Sequence, residues 1–365
     1  MYITSLNLTD FRNYDTARIE PCSGTNLIIG KNAQGKTNLV EAICYLSAAR
    51  SFRGAKDAEL VRFGAPGARI RTELFSDRAY TIDVTVAGVN SGLRREILIN
   101  GVKKRKTSEL LGVLQTVLFC PEDLSLVRDG AAARRKFMDT ALCQLRPTYA
   151  VLLSEYGKLL QHKTRILKDR ETYPALVDTL DDFSARMCMI AARLIPYRAW
   201  FVGELARYAA GIHGDISAGT ETLSIVYKTV SSVEDPAADE ETIYYALWQH
   251  YITHKQAELA SATVLSGIHK DDMLIEINGL SARQYASQGQ TRSAALAMKL
   301  GQRDLFTADT GQCPVLILDD VLSELDETRR AYILRGIHTG QVFITACEKN
   351  MEAEKVFTVE DGCVK

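Results

Sequence analysis

This sequence predicts an α/β fold that carries an antiparallel β region and is interrupted by an inserted run of helices. Three observations make the prediction. A short apolar stretch at 25–29 leads into Gly30-Lys31-Asn32-Ala33-Gln34-Gly35-Lys36-Thr37, and a helical pattern follows it. A second apolar run, 313–318, ends in Asp319-Asp320. Between these two, alternation of period two fills residues 69–100, whereas apolar steps of three and four dominate 147–264.

The first observation is also the most chemical. Residues 30–37 match the phosphate-binding pattern G-x-x-x-x-G-K-[ST]. Leu27, Ile28 and Ile29 form the strand side, and Leu39, Val40, Ile43 and Leu46 share one side of the helix that follows. Backbone N–H groups of such a loop wrap phosphate oxygens, and the helix N-terminus adds positive potential. Lys36 is then the residue that reaches the β- and γ-phosphates, and Thr37 the one whose hydroxyl holds magnesium. A plain glycine-rich turn is the competing reading, and strand and helix on the correct sides argue against it.

Composition sets wide bounds. A chain of 365 residues has room for two domains, or for one domain with an insertion. Apolar residues make up 46% and charged residues 24%, as in soluble globular proteins. There is no apolar run of membrane-spanning length. Met1-Tyr2-Ile3-Thr4-Ser5 lacks the basic and apolar regions of a secretory signal. The 8 cysteines form no CxxC pair, which fits free thiols in a reducing compartment, hence the cytoplasm. Formal net charge is -1, so any nucleic-acid contact has to rest on local patches.

Taken in order, Ile3, Leu6 and Leu8 mark a first strand, with Phe11-Arg12-Asn13-Tyr14 at its end. Arg12 touches phosphate or base in one reading, and belongs to an aromatic-anchored turn in the favoured one. Ser51-Phe52-Arg53-Gly54 is basic and close to the loop. In the β region, 70–75, Tyr80 to Val86 and 95–99 read as strands, residues 88–92 as a turn, and Asn100-Gly101 as a hairpin. Lys103-Lys104-Arg105-Lys106 follows, either a solvated surface or a track for a phosphate backbone. Arg134-Arg135-Lys136 lies on a predicted helix running to Leu142 and gives a second basic patch.

From Pro147 the pattern is helical. Tyr149, Leu152, Tyr156, Leu159 and Lys163 form one stripe. Leu176, Leu180, Phe183, Met187, Ile190, Leu194, Tyr197 and Phe201 form another. Such steps build a coiled-coil seam or an ordinary bundle core. The turn between them falls at 169–174, and Pro196 is expected to kink or split the second helix. A short strand at 223–227, an acidic linker at 231–240 and a third helix over 241–264 complete an insertion too short for a long arm. The domain reading is therefore 1–146, an inserted 147–264, and 265–365.

After the insertion, Met273, Ile275 and Ile277 alternate before Asn278-Gly279, a second hairpin. Ser287-Gln288-Gly289-Gln290 opens a helix, with Ser287 as N-cap and Gln290 as its reciprocal partner. Beyond a plain cap, such a helix start can grip a γ-phosphate presented by another subunit. Residues 313–318 read as a buried strand that ends in the Walker B pair Asp319-Asp320. Asp319 coordinates magnesium, and Asp320 orients the attacking water. Residues 342–345 form a further core strand, and 355–359 a β-like end.

The ordered set Phe11-Arg12-Asn13-Tyr14, NAQGKTNLVEA (32–42), PEDL (121–124), SQGQ (287–290) and LDDVLSELD (318–326) resembles the RecF recombination-mediator family over essentially the whole chain. The resemblance implies a P-loop NTPase of the ABC/SMC head type with an antiparallel β subdomain and an inserted helical domain. It implies ATP and Mg2+ as cofactors and an ATP-dependent homodimer. It also implies binding of double-stranded and gapped DNA, and work with RecR and RecO in loading RecA at single-strand gaps. ATP turnover is expected to be slow and DNA-stimulated. By that pattern the nucleotide contacts are Gly30, Lys31, Asn32, Ala33, Gln34, Gly35, Lys36, Thr37, Arg53 and the signature Ser287, Gln288, Gly289 and Gln290. Lys36 and Asp320 are the catalytic candidates, and Thr37 and Asp319 the metal ligands. Lys103, Lys104, Arg105, Lys106, Arg134 and Arg135 are the DNA candidates, and 323–326 is the D-loop.

This chain departs from the pattern at four places. Phe52 stands for a histidine, Ala33 for a glycine that is tolerated if its φ is negative, and Ile268 and Lys270 replace proline and arginine. Thr345-Ala346-Cys347 offers no switch histidine. Three other functions compete: an ATPase coupled to a nuclease, a transporter ATPase and a small-molecule kinase. The absence of a second carboxylate-rich site, the basic stretches and the signature sequence count against them in turn.

Overall fold

The computed structural model describes residues 1–89, 92–323, 325–336, 339–349 and 351–365. The centre of the expected 88–92 turn and Glu324 of the expected D-loop lie outside those residues. The chain begins with β1 (Tyr2–Phe11), β2 (Tyr14–Ile19) and β3 (Thr25–Ile29), then α1 (Lys36–Ala48) and the short α2 (Asp57–Leu60). Next come β4 (Gly67–Phe75), β5 (Ala79–Val89), β6 (Gly92–Ile99), β7 (Val102–Lys103) and β8 (Thr116–Phe119). Helices follow: α3 (Ser125–Arg128), α4 (Ala131–Leu145), α5 (Pro147–Lys168) and α6 (Leu180–Ile216). After β9 (Leu223–Lys228) come α7 (Glu240–Ser261), β10 (Asp272–Ile277), β11 (Leu280–Ser281), α8 (Ala282–Tyr285) and α9 (Gln288–Thr310). The chain closes with β12 (Val315–Asp319), α10 (Glu327–Gly336), β13 (Val342–Ala346), β14 (Lys355–Glu360) and β15 (Cys363–Val364).

The central sheet has the order β15-β14-β3-β13-β12-β8 and is parallel except for the β15 edge. Its central strands β12 and β13 are buried at every residue because both faces are covered. On β12, Val315 and Ile317 point into one core, with α1 and the antiparallel sheet. Leu316 and Leu318 point into the other, with the helices. Each fully buried leucine of this kind stabilises the fold by about 1.5–3 kcal/mol. The antiparallel sheet runs β2-β1-β4-β5-β6-β7. Its predicted Asn100-Gly101 hairpin is a type I′ turn, with φ of 51° and 77°. Asn278-Gly279 repeats that geometry at 52° and 75° between β10 and β11.

The helical stripes become core. Tyr149, Leu152, Tyr156, Leu159 and Lys163 are buried on α5, and Met187, Ile190, Leu194 and Phe201 on α6. Lys163 is tolerated there because Glu258 of α7 meets its ammonium at 2.6 Å. Leu176 is not in the stripe. It lies exposed on the 3₁₀ turn before α6. Pro196 does not split the helix either, since α6 runs through it from Leu180 to Ile216. Proline removes one N–H, but Leu194, Ile195, Arg198 and Phe201 are buried on both sides and keep the helix continuous. Arg198 pairs with Asp139 at 2.8 Å and Asp271 at 2.7 Å, tying α6 to α4 and to the segment before β10.

The strand expected inside the insertion, β9, pairs with β10 along its whole length. Among the described residues no helix is long and apolar enough to cross a membrane.

Candidate nucleotide-binding site

The loop 30–35 turns tightly between β3 and α1. Gly30 has φ 156°, and a Cβ there would stand 2.3 Å from the Val359 carbonyl oxygen. Gly35 has φ 119°, and a Cβ there would meet the Asn13 amide at 2.6 Å. No side chain caps α1, so its first-turn N–H groups stay free for an anion. Ala33 does not meet the condition set for it, a negative φ. Its φ is +64°, so the loop keeps its left-handed shape and the alanine bears the strain.

Lys36 is buried and donates to the carbonyls of Gly30 at 2.6 Å and Lys31 at 3.0 Å. Its ammonium is thereby held across the mouth of the loop. Thr37 Oγ1 lies 3.2 Å from Asp319 Oδ1, joining α1 to the end of β12. Thr345 Oγ1, at the end of β13, donates to the same oxygen at 2.7 Å. The Asp320 N–H donates to Thr345 Oγ1 at 2.9 Å, and Asp320 itself is left-handed at φ 55°.

Burial pushes the Asp319 carboxyl above the ordinary carboxylate range, while the Thr345 and Thr37 hydroxyls favour its ionised form. A buried carboxylate and a hydroxyl, both hard oxygen donors, fit a divalent cation such as magnesium.

Arg53 sits at the rim. Its guanidinium donates to Asn38 Oδ1 at 3.1 Å, Asn38 donates to Asn13 Oδ1 at 2.8 Å, and Asn13 donates to the Gln34 carbonyl at 2.9 Å. Arg12 takes the favoured structural role. It grips the fully buried Glu41 through two bonds of 2.9 and 2.8 Å. The resulting cleft, about 450 Å³, is lined by Ala33, Lys36, Thr37, Arg53, Asp319 and Asp320, with Glu122 of the PEDL segment at its side.

Sequence reasoning named most of these residues but missed Asn13, Asn38, Glu41 and Thr345 as partners. Asn13, Asn38 and Glu41 stood inside the quoted motifs, and Thr345 was visible as a hydroxyl at the end of an apolar strand.

The segment Ser287–Gln290 does not line that cleft. Ser287 caps α9 as expected. Its Oγ accepts from the Gln290 N–H at 3.2 Å, and its own N–H donates to Gln290 Oε1 at 2.9 Å. The Gln290 amide also donates to Glu221 at 2.8 Å, and the other Glu221 oxygen meets His213 Nε2 at 3.0 Å. Behind the helix start, Arg329 donates to the Gly289 carbonyl at 3.0 Å and to Ser293 at 2.8 Å. In the D-loop, Ser323 Oγ donates to the Asp320 carbonyl at 3.1 Å, and Asp326 accepts from the Arg329 N–H at 2.9 Å. Gln288 and Gly289 form the first turn with the capped pair.

The basic residues divide. Lys103, Arg105 and Lys106 are exposed and Lys104 is half-buried. Lys103 pairs with Glu96. Arg134 contradicts its assignment to DNA. It is buried, bonded to Asp272 at 2.6 and 2.9 Å and to the carbonyls of Leu126 and Asp129. Arg135 is half-buried and donates to the Asp271 carbonyl at 2.7 Å. Arg134, so committed, neutralises Asp272 inside the fold and cannot also follow a phosphate backbone. Ile268 is buried beside this region and Lys270 is exposed, so neither departure touches the cleft.

Comparison with known proteins settles the family. The description "RecF/RecN/SMC N terminal domain" matches residues 2–362. A DNA replication and repair protein RecF from Agathobacter rectalis is 38% identical, covering 100% of this chain and 99% of that one. The chain belongs to the RecF family. The RecF of Bacillus subtilis is 36% identical with 100% of both chains covered. A solved recombination mediator RecF-ATPrS of the RecFOR pathway has a TM-score of 0.93 at 35% identity, covering 100% of this chain and 97% of that one. An Smc head domain from Pyrococcus furiosus, with a TM-score of 0.57 at 17% identity, shares the fold. The chain therefore has the α/β P-loop fold of the RecF/SMC head, with its antiparallel sheet and large helical insertion.

Proposed function

We propose that this RecF-family chain is an ATP-switched DNA-binding protein of recombinational gap repair. The observation that carries the reading is the cleft in which an uncapped helix N-terminus, Lys36, Thr37 and the Asp319–Asp320 pair converge. Relatives described as DNA replication and repair proteins, and RecF structures described with ATP and ATPrS, support it. Gly30, Lys31, Asn32, Ala33, Gln34 and Gly35 cradle the triphosphate, Lys36 neutralises it, and Arg53 contacts it from the rim. Thr37 and Asp319 would hold Mg2+, which supplies charge neutralisation on the phosphates when bound.

Asp320 orients water for a slow, DNA-stimulated hydrolysis that acts as a timer. Ser287 to Gln290 meet the nucleotide of a second copy, so ATP makes the homodimer. Residues 147–264 serve as the inserted arm between the two parts of the head. The dimer binds gapped and double-stranded DNA and, with RecR and RecO, favours RecA loading. Lys103 to Lys106 and Arg135 supply backbone contacts, without Arg134.

Fluorescence anisotropy on gapped duplexes tests this. Affinity is expected to rise at least about tenfold with Mg-ATP and to fall with salt, log affinity dropping by about 0.9 per phosphate contact for each decade of salt. Reversing the charges at Lys103, Lys104, Arg105 and Lys106 should weaken binding to unrelated sequences alike. Equal affinity with and without nucleotide would contradict the switch.

A further inference from the structure

Asp319 and Asp320 are adjacent in sequence but are positioned through one side chain from another strand. In the β12–β13 pairing Thr345 stands in register with Asp319. It is buried, with 2% of its surface exposed, so its hydroxyl finds partners within the protein. A carboxylate only accepts and a backbone N–H only donates. The hydroxyl's two roles are therefore fixed: it donates to Asp319 Oδ1 at 2.7 Å and accepts from the Asp320 N–H at 2.9 Å. The bonds run in one direction, from N–H to hydroxyl to carboxylate, an arrangement in which each strengthens the next.

Both ends of this chain of bonds need restraint. Asp320 sits at φ 55°, outside the preferred backbone regions, and its N–H bond to Thr345 holds that turn. Asp319 receives Thr345 and Thr37 on the same oxygen, Oδ1. That fixes the rotation of the carboxylate about its own axis, and with it the direction of Oδ2.

We infer that Thr345 is a positioning residue for phosphoryl transfer, its one hydroxyl orienting the metal-ligand carboxylate of Asp319 and the backbone turn that aims Asp320. The inference rests on the proposed reading of the cleft as an ATPase site and adds a residue to it. It also gives the Thr345-Ala346-Cys347 segment a role that does not require a histidine.

Thr345→Val keeps the shape and removes both bonds, whereas Thr345→Ser keeps both. Turnover of Mg-ATP by Thr345→Val should fall about tenfold to a hundredfold, the scale of one or two hydrogen bonds to a charged group. Half-saturation by Mg2+ should rise several-fold. ATP affinity measured by calorimetry in EDTA should stay within roughly twofold of wild type, because the loop and Lys36 are untouched. Thr345→Ser should restore both turnover and the Mg2+ requirement.

A residue that merely packs would change the melting temperature and leave the Mg2+ dependence alone. Should Thr345→Val not fold, Thr345→Ala carries the same comparison against Thr345→Ser. Wild-type turnover and Mg2+ dependence in the variant lacking the hydroxyl would overturn the inference while leaving the ATPase reading intact. Wild-type protein that turns over Mg-ATP no faster than Lys36→Ala would instead remove the ATPase reading, and the inference with it.

Discussion

Helices α1 and α9 both begin beside glycine, and they begin differently. At α1 the N-cap is Gly35 in a left-handed conformation, and no side chain takes up the first-turn N–H groups. At α9 the N-cap is Ser287, and a capping box with Gln290 claims an N–H on each side. The first start is left open inside a cleft with Lys36 across its mouth. The second is closed on itself and braced from behind by Glu221 and Arg329. An open helix start with a lysine across its mouth is built to take charge from a ligand. A closed one lends a hydroxyl and a dipole to something that arrives already bound. On the proposed dimer, the two ends would be the cis and trans halves of one site.

The sharpest way to break this contrast is at the open end. Lys36→Ala removes a charged donor from a site that must hold a triphosphate. ATP affinity should fall about tenfold to a hundredfold, the cost of a charge-assisted hydrogen bond of about 1.5–3 kcal/mol. Calorimetry on the folded variant checks it, and unchanged affinity would mean the open helix start does not hold the nucleotide.

A smaller effect sharpens the same comparison. The open loop is strained at Ala33, with φ +64°. Glycine there relieves about 1–2 kcal/mol of left-handed strain and gives back about 0.4–1 kcal/mol in unfolded-chain entropy. Ala33→Gly should therefore stabilise the protein by about 0.5–1 kcal/mol in urea unfolding. A destabilised variant would show that the loop does not carry that strain.

How much of this was legible in the sequence follows from the range of each interaction. Local chemistry was readable. The phosphate loop, the two Asn-Gly hairpins and the Ser287–Gln290 box each lie within a few residues, and each forms as its spacing predicts. Long-range partnership was not. Arg134 looks like a surface cation beside Arg135 and Lys136, and only Asp272, far along the chain, turns it into a buried ion pair. Lys163 completes an apolar stripe because Glu258 waits on another helix. Ala33 shows a third kind of gap, since residue type alone did not reveal the sign of φ. Pro196 shows a fourth: of the two outcomes expected there, the split does not occur, because packing on both sides keeps α6 continuous.

The central claim, that the two helix starts meet across a pair of chains, is tested most directly by light scattering with Mg-ATP on two variants. Asp320→Asn keeps the Asp319 and Thr37 ligands but stalls water activation, so it should accumulate as a dimer. Ser287→Arg leaves the α1 loop intact and fills the approach to α9, so it should bind ATP and remain a monomer. Dimer in the first and monomer in the second is the result predicted. A Ser287→Arg protein that still dimerises with ATP would contradict the account and leave Ser287 a helix cap and nothing more.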